Sequence, residues 1–347
     1  MPFDPVARVP LGRTGLTVTR LGFGSASIGG LFTAVTDDDA RATVRRAWDL
    51  GIRYFDTAPL YGYGAAERRV GDALRVEPRH AFVLSTKVGR LVRAPGDVRP
   101  GEDVDRQRRG EIDDAFYVRT GAERLVFDYS AAGVRRSIDE SLGRLGLDRI
   151  DIALIHDPDN HWETALDGAY PALAKLRDEG VIRAVGAGMN QSEMLARFVR
   201  ETDIDVVLVA GRYTILDQGA LDALLPACDE RGIAVLVGGV MNSGLLANPS
   251  GTDSRFNYLP APAAMVDRAR RIGEVCERHG VPLRAAAVQF PLAHPAVVSL
   301  VAGVRSVTHL EEYPAFAGLE VPAALWEELR AEGLLRADAP VPASSVR

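Results

Sequence analysis

The chain of 347 residues carries 41 Lys and Arg against 47 Asp and Glu, a formal charge of −6, with 47% hydrophobic and 25% charged residues. That composition is globular, which excludes a disordered or low-complexity chain, and it lacks the basic excess a nucleic-acid backbone would need. The length suits two ordinary domains or one large α/β barrel equally. Cys228 and Cys276 have no ligand spacing, so a disulfide framework and a cysteine zinc site are both unexpected. Residues 1–10 lack an apolar signal core, and no run approaches the roughly 18 apolar residues of a membrane span. A soluble, cytoplasmic protein without membrane or nucleic-acid partners is expected.

In chain order, residues 9–18 read as two short strands around a glycine turn, a hairpin able to plug a barrel floor. A strand over 21–24 follows, then a helix over 37–50 that Thr36 can cap and Gly51 can end. The alternation continues with a strand at 53–56, a helix at 64–74 and a strand at 82–86. After a long, charged segment over 90–128 come a helix at 131–145, a strand at 151–155 and a helix at 163–179 closed by Gly180. Strands at 184–187, 206–209 and 234–237 flank helices at 191–200 and 218–231, the latter closed by Gly232. A second irregular segment, 242–262, is rich in Asn, Ser, Gly and Pro. Extra helices at 262–279 and 282–293 precede the last strand, 298–301, and its helix, 306–316. A C-terminal helix over 321–336 and a frayed tail over 338–347 complete the chain. Eight βα units with no break between halves predict one domain over 1–347, a closed (β/α)8 TIM barrel with its two long segments over the C-terminal mouth.

Three apolar strands end in polar residues: Asp56, Lys87 and His156. In a barrel their carboxylate, ammonium and imidazole converge on one mouth, and Tyr61, in the loop five residues after Asp56, reaches the same point. An ammonium about 4–6 Å away favours an ionised phenol, so the group suits proton transfer to or from a carbonyl or alcohol. No nucleophile-and-base pair and no His/carboxylate metal cage stand out, so acyl transfer and metal hydrolysis are poorly supported. Redox chemistry with an external hydride carrier fits best. Gly22-Phe23-Gly24 with Gly29-Gly30 fails as a dinucleotide fingerprint, since Ser27 replaces the third glycine; it reads as a tight bend beside the cofactor. The histidines at 80, 161, 279 and 294 read as structural, and Arg106, Arg108 and Arg109 as a solvated cluster.

The stretch from Gly51 to Gly62, with Ser85-Thr86-Lys87-Val88 and Leu154-Ile155-His156, resembles the aldo-keto reductase family from about residue 11 to 316. The resemblance implies a catalytic tetrad of Asp56, Tyr61, Lys87 and His156, and NADP or NAD as cofactor. It implies cofactor contacts from Gly24 and Ser25, from Asn190, and from a pyrophosphate loop at Ser243, Gly244 and Leu245. An adenosine-phosphate turn at Gly303 and Arg305, with His309 and Glu312 beyond, completes that set. This chain departs from the family with Gly188 for Ser, Ala210 for the usual glutamine and Gly238-Gly239 for an aromatic-Ser pair. Val88-Gly89-Arg90-Leu91, His156-Asp157-Pro158 and Gly238-Gly239 are similar to the sugar-oxidising branch, the D-threo-aldose 1-dehydrogenases of L-fucose and L-galactose type, and to pyridoxal 4-dehydrogenases. Oxidation of a cyclic hemiacetal to a lactone is therefore expected, with Tyr61 as base and Tyr129 and Asp157 on the sugar hydroxyls. The alternatives are a pyridoxal 4-dehydrogenase, a general NADPH-dependent aldehyde or ketone reductase, and a nucleotide-sensing regulatory subunit. A lost tetrad residue or a long basic arm would mark the last, and the sequence has neither.

Overall fold

A computed structural model describes residues 3–105, 108–109, 112–113, 116–118, 121–251 and 254–343. β1 (Arg8–Pro10) and β2 (Thr17–Thr19) pair antiparallel. β3 (Leu21–Gly24), α1 (Asp37–Asp49), β4 (Tyr54–Asp56), α2 (Ala65–Leu74) and β5 (Val83–Val88) begin the βα repeat. The mouth segment then supplies β6 (Arg90–Arg93), β7 (Val104–Asp105), β8 (Arg108–Arg109), β9 (Ile112–Asp113) and β10 (Arg124–Phe127). The repeat resumes with α3 (Ala131–Leu145) and β11 (Ile152–His156), followed by α4 (Trp162–Thr164) and α5 (Tyr170–Asp178). Next come β12 (Ala184–Met189), α6 (Glu193–Glu201), β13 (Val206–Ala210), α7 (Leu224–Arg231) and β14 (Ala234–Gly238). A second mouth hairpin, β15 (Arg255–Phe256) and β16 (Leu259–Pro260), leads to α8 (Ala263–Arg278) and α9 (Leu283–Gln289). β17 (Val297–Gly303), α10 (Val307–Gly318) and α11 (Ala323–Ala331) end the fold.

Eight strands close a barrel in the order β11-β12-β13-β14-β17-β3-β4-β5, every pair parallel. All eight expected strands are present. Period-two alternation divides their side chains into two cores. Phe55, Leu84, Ala153 and Ile155 face outward and pack under the helices. Tyr54, Val83, Ile152, Leu154, Val206 and Leu236 fill the interior, where Leu11 and Val18 of the hairpin join them. The hairpin thus plugs the floor. The same parity carries Asp56, Lys87 and His156 inward at the opposite end, two residues beyond Tyr54, Ser85 and Leu154.

The first helix begins as expected, with Thr36 Oγ1 accepting from the Asp39 amide (3.1 Å). Other elements differ from the sequence expectation. The 90–128 segment is not simply a loop: β6, β10 and β7 form a three-stranded antiparallel sheet. The helix expected over 163–179 widens into a π-turn, Ala165–Ala169, between α4 and α5. Gly168 lies there against Tyr129, whose carbonyl oxygen would stand 2.6 Å from an added Cβ. A 3-10 turn, Gly219–Leu221, precedes α7, and Pro291 ends α9 in a second one, Pro291–Ala293. Past Asp338 the chain still packs, since Ala339 is buried and its carbonyl accepts from Arg330 Nη2 (2.6 Å). Residues 344–347 of the expected tail, and Arg106, lie outside the described residues. Among those described, no helix is long and apolar enough to cross a membrane.

Two helical glycines separate close packing from conformational cost. A Cβ on Gly71 of α2 would lie 1.9 Å from the Leu145 carbonyl oxygen, whereas one on Gly143 of α3 meets nothing within 4 Å. Gly71→Ala is expected to destabilise by about 1–3 kcal/mol through overpacking, and Gly143→Ala to stabilise by about 0.5–1 kcal/mol. Thermal or urea denaturation of the two variants measures both signs.

Candidate active site

The site is assembled on a buried ion pair. Lys87 Nζ donates to Asp56 Oδ1 (2.8 Å), Asp56 Oδ2 (2.7 Å) and the Thr57 carbonyl (3.0 Å), with side-chain exposures of 1% for the lysine and 3% for the aspartate. All three ammonium donors are therefore used. Ser85 Oγ donates to Asp56 Oδ1 (2.7 Å) and lies 3.0 Å from the Tyr54 hydroxyl, which fixes the carboxylate from below. On the outer face Thr86, next to the lysine, donates to the buried Glu67 (2.8 Å), which also accepts from Arg144 Nε (2.6 Å).

Tyr61 comes from the loop after β4, and two glycines place it. Gly62 has φ +63°, and a Cβ there would lie 2.2 Å from the Gly29 carbonyl oxygen; a Cβ on Gly29 would lie 2.9 Å from the Tyr61 carbonyl carbon. The two backbones touch, so only glycines fit, and the Tyr61 loop lies directly against the turn that follows β3. The Tyr61 ring is 4.7 Å from Lys87 Nζ and stands edge-on to His156, with ring centroids 5.8 Å apart. Burial, then the Asp56 carboxylate, raises the phenol pKa well above its usual value. This corrects the expected lysine-driven ionisation: the ammonium donates to Asp56 and Thr57, and its charge is largely offset by its partner.

His156 is 5% exposed. Burial, then Arg90 and Lys87, holds its pKa well below the ordinary histidine value, so the ring is neutral. Its Nδ1 is buried without a hydrogen-bond partner, and Nε2 lies 3.6 Å from Asp157 Oδ2. A proton on Nδ1 would be an orphaned buried donor, so the hydrogen-bond pattern assigns the single proton to Nε2.

Tyr61, Lys87 and His156 line a cavity of ≈ 240 Å³. Arg90, Asp105, Asp157, Asp159 and Asn160 form a polar wall, while Phe116, Tyr117 and Tyr258 form an aromatic one. The aromatic wall comes from both mouth segments: Leu31 bridges to Tyr117, the Phe32 amide donates to the Phe116 carbonyl (2.8 Å), and Phe116 packs against Tyr258 at 5.3 Å. Sequence reading missed these residues as site candidates. Segments without a period leave no signal of where their aromatics land; Arg90 alone had one, as a charged residue directly after Lys87-Val88-Gly89.

The expected substrate residues separate. Asp157 lines the cavity, but Tyr129 does not: it is buried, and its hydroxyl donates to the carbonyls of His156 (2.7 Å) and Asp157 (3.1 Å). Tyr129 holds backbone instead of touching ligand.

The expected cofactor residues fit a nicotinamide dinucleotide along the mouth, with one exception. Ser25 Oγ is buried at the end of β3 without a partner, and Asn190, Gly188 and Ala210 line the cavity. A Cβ on Gly188 would lie 3.4 Å from Lys87 Cε, in contact with the lysine stem. Gly24 ends β3 beside Gly303 of β17, whose exposed turn leads through Arg305 to α10; there Ser306 Oγ accepts from the His309 amide (3.3 Å). Free amides at a helix start beside an arginine suit a phosphate. Glu312, one turn beyond His309, is paired with Arg284. In the expected pyrophosphate loop Gly244 has left-handed backbone (φ +95°), but Ser243 Oγ accepts from the Tyr258 amide (3.1 Å). Leu245 is the correction: its side chain is fully buried in the core, and its amide closes a turn onto Asn242 (3.2 Å).

A sequence model of the Aldo/keto reductase family matches residues 20–331. The chain is 46% identical over 318 residues to the D-threo-aldose 1-dehydrogenase of a Pseudomonas species, covering 91% of this chain and 94% of that one. It is 42% identical over 338 residues to the pyridoxal 4-dehydrogenase of Microbacterium luteolum, covering 94% and 97%. Among solved structures it is similar to the holo form of an aldo-keto reductase from Bacillus halodurans, with a TM-score of 0.72 and 26% identity, covering 96% of this chain and 98% of that one.

Proposed function

The chain belongs to the aldo/keto reductase family and is an NAD(P)-dependent oxidoreductase, and on that premise we propose that it oxidises the anomeric hydroxyl of an aldose to a lactone. The observation that carries this reading is the mixed polar and aromatic lining of the cavity. Hydroxyls taken out of water need hydrogen-bond partners, and Arg90, Asp105, Asp157, Asp159 and Asn160 line one wall. The aromatic wall of Phe116, Tyr117 and Tyr258 suits the C–H face of a sugar ring. The 46% identity to an aldose 1-dehydrogenase supports the same substrate class.

When bound, NAD(P)+ would supply the hydride acceptor, its nicotinamide held in this reading by Asn190 beside the cavity and its adenosine phosphate by the Gly303 to Arg305 turn, with Ser25 as a further cofactor contact. His156 donates its Nε2 proton as a hydrogen bond to the anomeric oxygen and orients it. Tyr61 accepts the hydroxyl proton as the C1–H bond breaks and the C1–O bond becomes a carbonyl. Lys87, held by Asp56, sets its ammonium 4.7 Å from the ring centre, where the part of its charge that Asp56 leaves uncompensated favours the negative charge developing on the phenol. Because the phenol is held protonated, its base form grows about tenfold per pH unit across the neutral range. Oxidation is therefore expected to accelerate toward alkaline pH. Tyr61→Phe is expected to lower turnover by about 10²–10⁴-fold while leaving cofactor affinity, measured by fluorescence titration, near that of the wild type. Comparable turnover in that variant rejects the assignment.

Cofactor choice rests on Arg305, exposed at the start of the α10 turn with Nη1 3.4 Å from Thr33 Oγ1. We assign it to a 2′-phosphate, so Arg305→Ala is expected to raise KM for NADP+ about tenfold more than for NAD+. Equal increases would show that it does not read the phosphate.

A second reading is favoured by the 42% identity to a pyridoxal 4-dehydrogenase, since pyridoxal can close to a cyclic hemiacetal and the aromatic wall would also take a pyridine ring. The deciding experiment offers L-fucose, L-galactose, D-arabinose and pyridoxal with NAD+ and with NADP+, and follows nicotinamide absorbance. Reduction with a sugar and recovery of its lactone is the expected result. Turnover of pyridoxal alone selects the second reading, and oxidation of NADPH by simple aldehydes, with no sugar turnover, selects a general reductase.

A further inference from the structure

Among the described residues, non-glycine positions with left-handed backbone occur only in segments at the barrel mouth, and one of them, Asp157 at φ +41°, directly follows His156. Aspartate adopts that conformation more readily than most side chains, and here its surroundings hold it there. Arg90 Nη1 and the Tyr129 hydroxyl both donate to the His156 carbonyl, at 2.6 and 2.7 Å, and the same hydroxyl reaches the Asp157 carbonyl at 3.1 Å. The Asp157 amide donates to the Gly188 carbonyl (3.1 Å). Each clamping group is itself fixed. Arg90 is buried, paired with Asp105 through Nε (2.6 Å), and stacked 4.8 Å from the Phe127 ring centre. The Tyr129 ring fills the space beside Gly89, where an added Cβ would lie 2.1 Å from Cε1.

The outcome of this bracing is the position of one carboxylate. Asp157 Oδ2 stands 3.6 Å from His156 Nε2, too far to capture its proton yet close enough to share a neighbourhood with any oxygen that Nε2 binds. Two vicinal sugar oxygens lie close enough together for one to meet Nε2 while the other meets Oδ2.

We propose that Arg90 and Tyr129 are positioning residues that hold Asp157 in its left-handed conformation, and that its carboxylate accepts a hydrogen bond from the substrate hydroxyl adjacent to the reacting one. The selected substrates are those with a free hydroxyl at C2. This inference rests on the aldose reading of the preceding subsection. It assigns specificity, not chemistry, to the left-handed residue, since a site built to bond a hydroxyl rejects the analogue that lacks it.

The test compares L-fucose with 2-deoxy-L-fucose as substrates for the wild type, Asp157→Gly, Asp157→Asn and Tyr129→Phe. Glycine suits φ +41°, so Asp157→Gly is expected to melt no lower than the wild type while losing the carboxylate. The wild type is expected to favour L-fucose by at least about 100-fold in kcat/KM, and Asp157→Gly to reduce that ratio to about 3-fold or less. Asp157→Asn, which retains one oxygen acceptor, is expected to fall between them. Tyr129→Phe is expected to weaken discrimination in the wild-type background and to change it no further in the Asp157→Gly background, because it acts through Asp157. A structural role alone would lower both sugars equally. An unchanged ratio in Asp157→Gly overturns this inference and leaves the aldose reading standing; failure of the wild type to oxidise L-fucose, L-galactose or D-arabinose overturns both.

Discussion

The ammonium of Lys87 lies inside the barrel mouth with every proton bonded to a protein oxygen, and the rest of the site is arranged around that requirement. A charge so deeply buried persists only if its partner is equally buried and hydrogen-bonded; removing one member of such a pair strands the other at a cost of about 3–5 kcal/mol. Asp56 meets the condition because Ser85 supports its carboxylate from the next strand, and Ser85 in turn lies against the Tyr54 hydroxyl. The Thr57 carbonyl takes the third proton, which ties the start of the Tyr61 loop to the lysine. A demand of electrostatics is thereby converted into the path of a loop. The phenol that this loop carries feels the lysine as a field and not as a hydrogen-bond donor.

A second constraint governs His156. Its imidazole is neutral and one ring nitrogen is orphaned, so little around the ring itself defines its orientation. The main chain does that work. Two side chains converge on its carbonyl, Arg90 from the strand edge after β5 and Tyr129 from the start of α3, and the following residue is pushed into left-handed backbone. Rigidity is supplied from outside the group that reacts. Arg90 is well suited, because one planar cation can meet Asp105, a carbonyl and an aromatic face at once.

The cavity above these groups is built by segments that belong to no βα unit. The backbone of 30–32 pairs with 116–118, and the hairpin turn at Asn257 and Tyr258 is fastened to Ser243 through the Tyr258 amide. These ties bring the rings of Phe116, Tyr117 and Tyr258 into the same cavity lining as Asp105, Asp157 and Asp159. The residues proposed to select the substrate therefore stand on irregular backbone, while Asp56, Lys87 and His156 stand at strand ends and Tyr61 on a short loop fastened to them. That division is the physical basis on which one barrel can keep its chemistry while its substrate changes.

Strand and helix order, barrel closure and the convergence of Asp56, Lys87 and His156 were legible in the sequence alone. Each follows from a local pattern: short, near-continuous apolar runs mark the strands, their side chains point alternately to two faces, and parity then aims the polar strand ends inward. Helix starts and stops were readable for the same local reason, as at Thr36 and Gly51. The duty of Tyr129, the core position of Leu245, the place of Tyr117 and Tyr258 in the cavity lining, and the protonated state of Tyr61 were decided only by the tertiary structure. None of these depends on a repeat. Each depends on which donor reaches which acceptor across the fold, and on how much water the packing removes. Those quantities are properties of distances between segments remote in the chain, and no local pattern of residues encodes them.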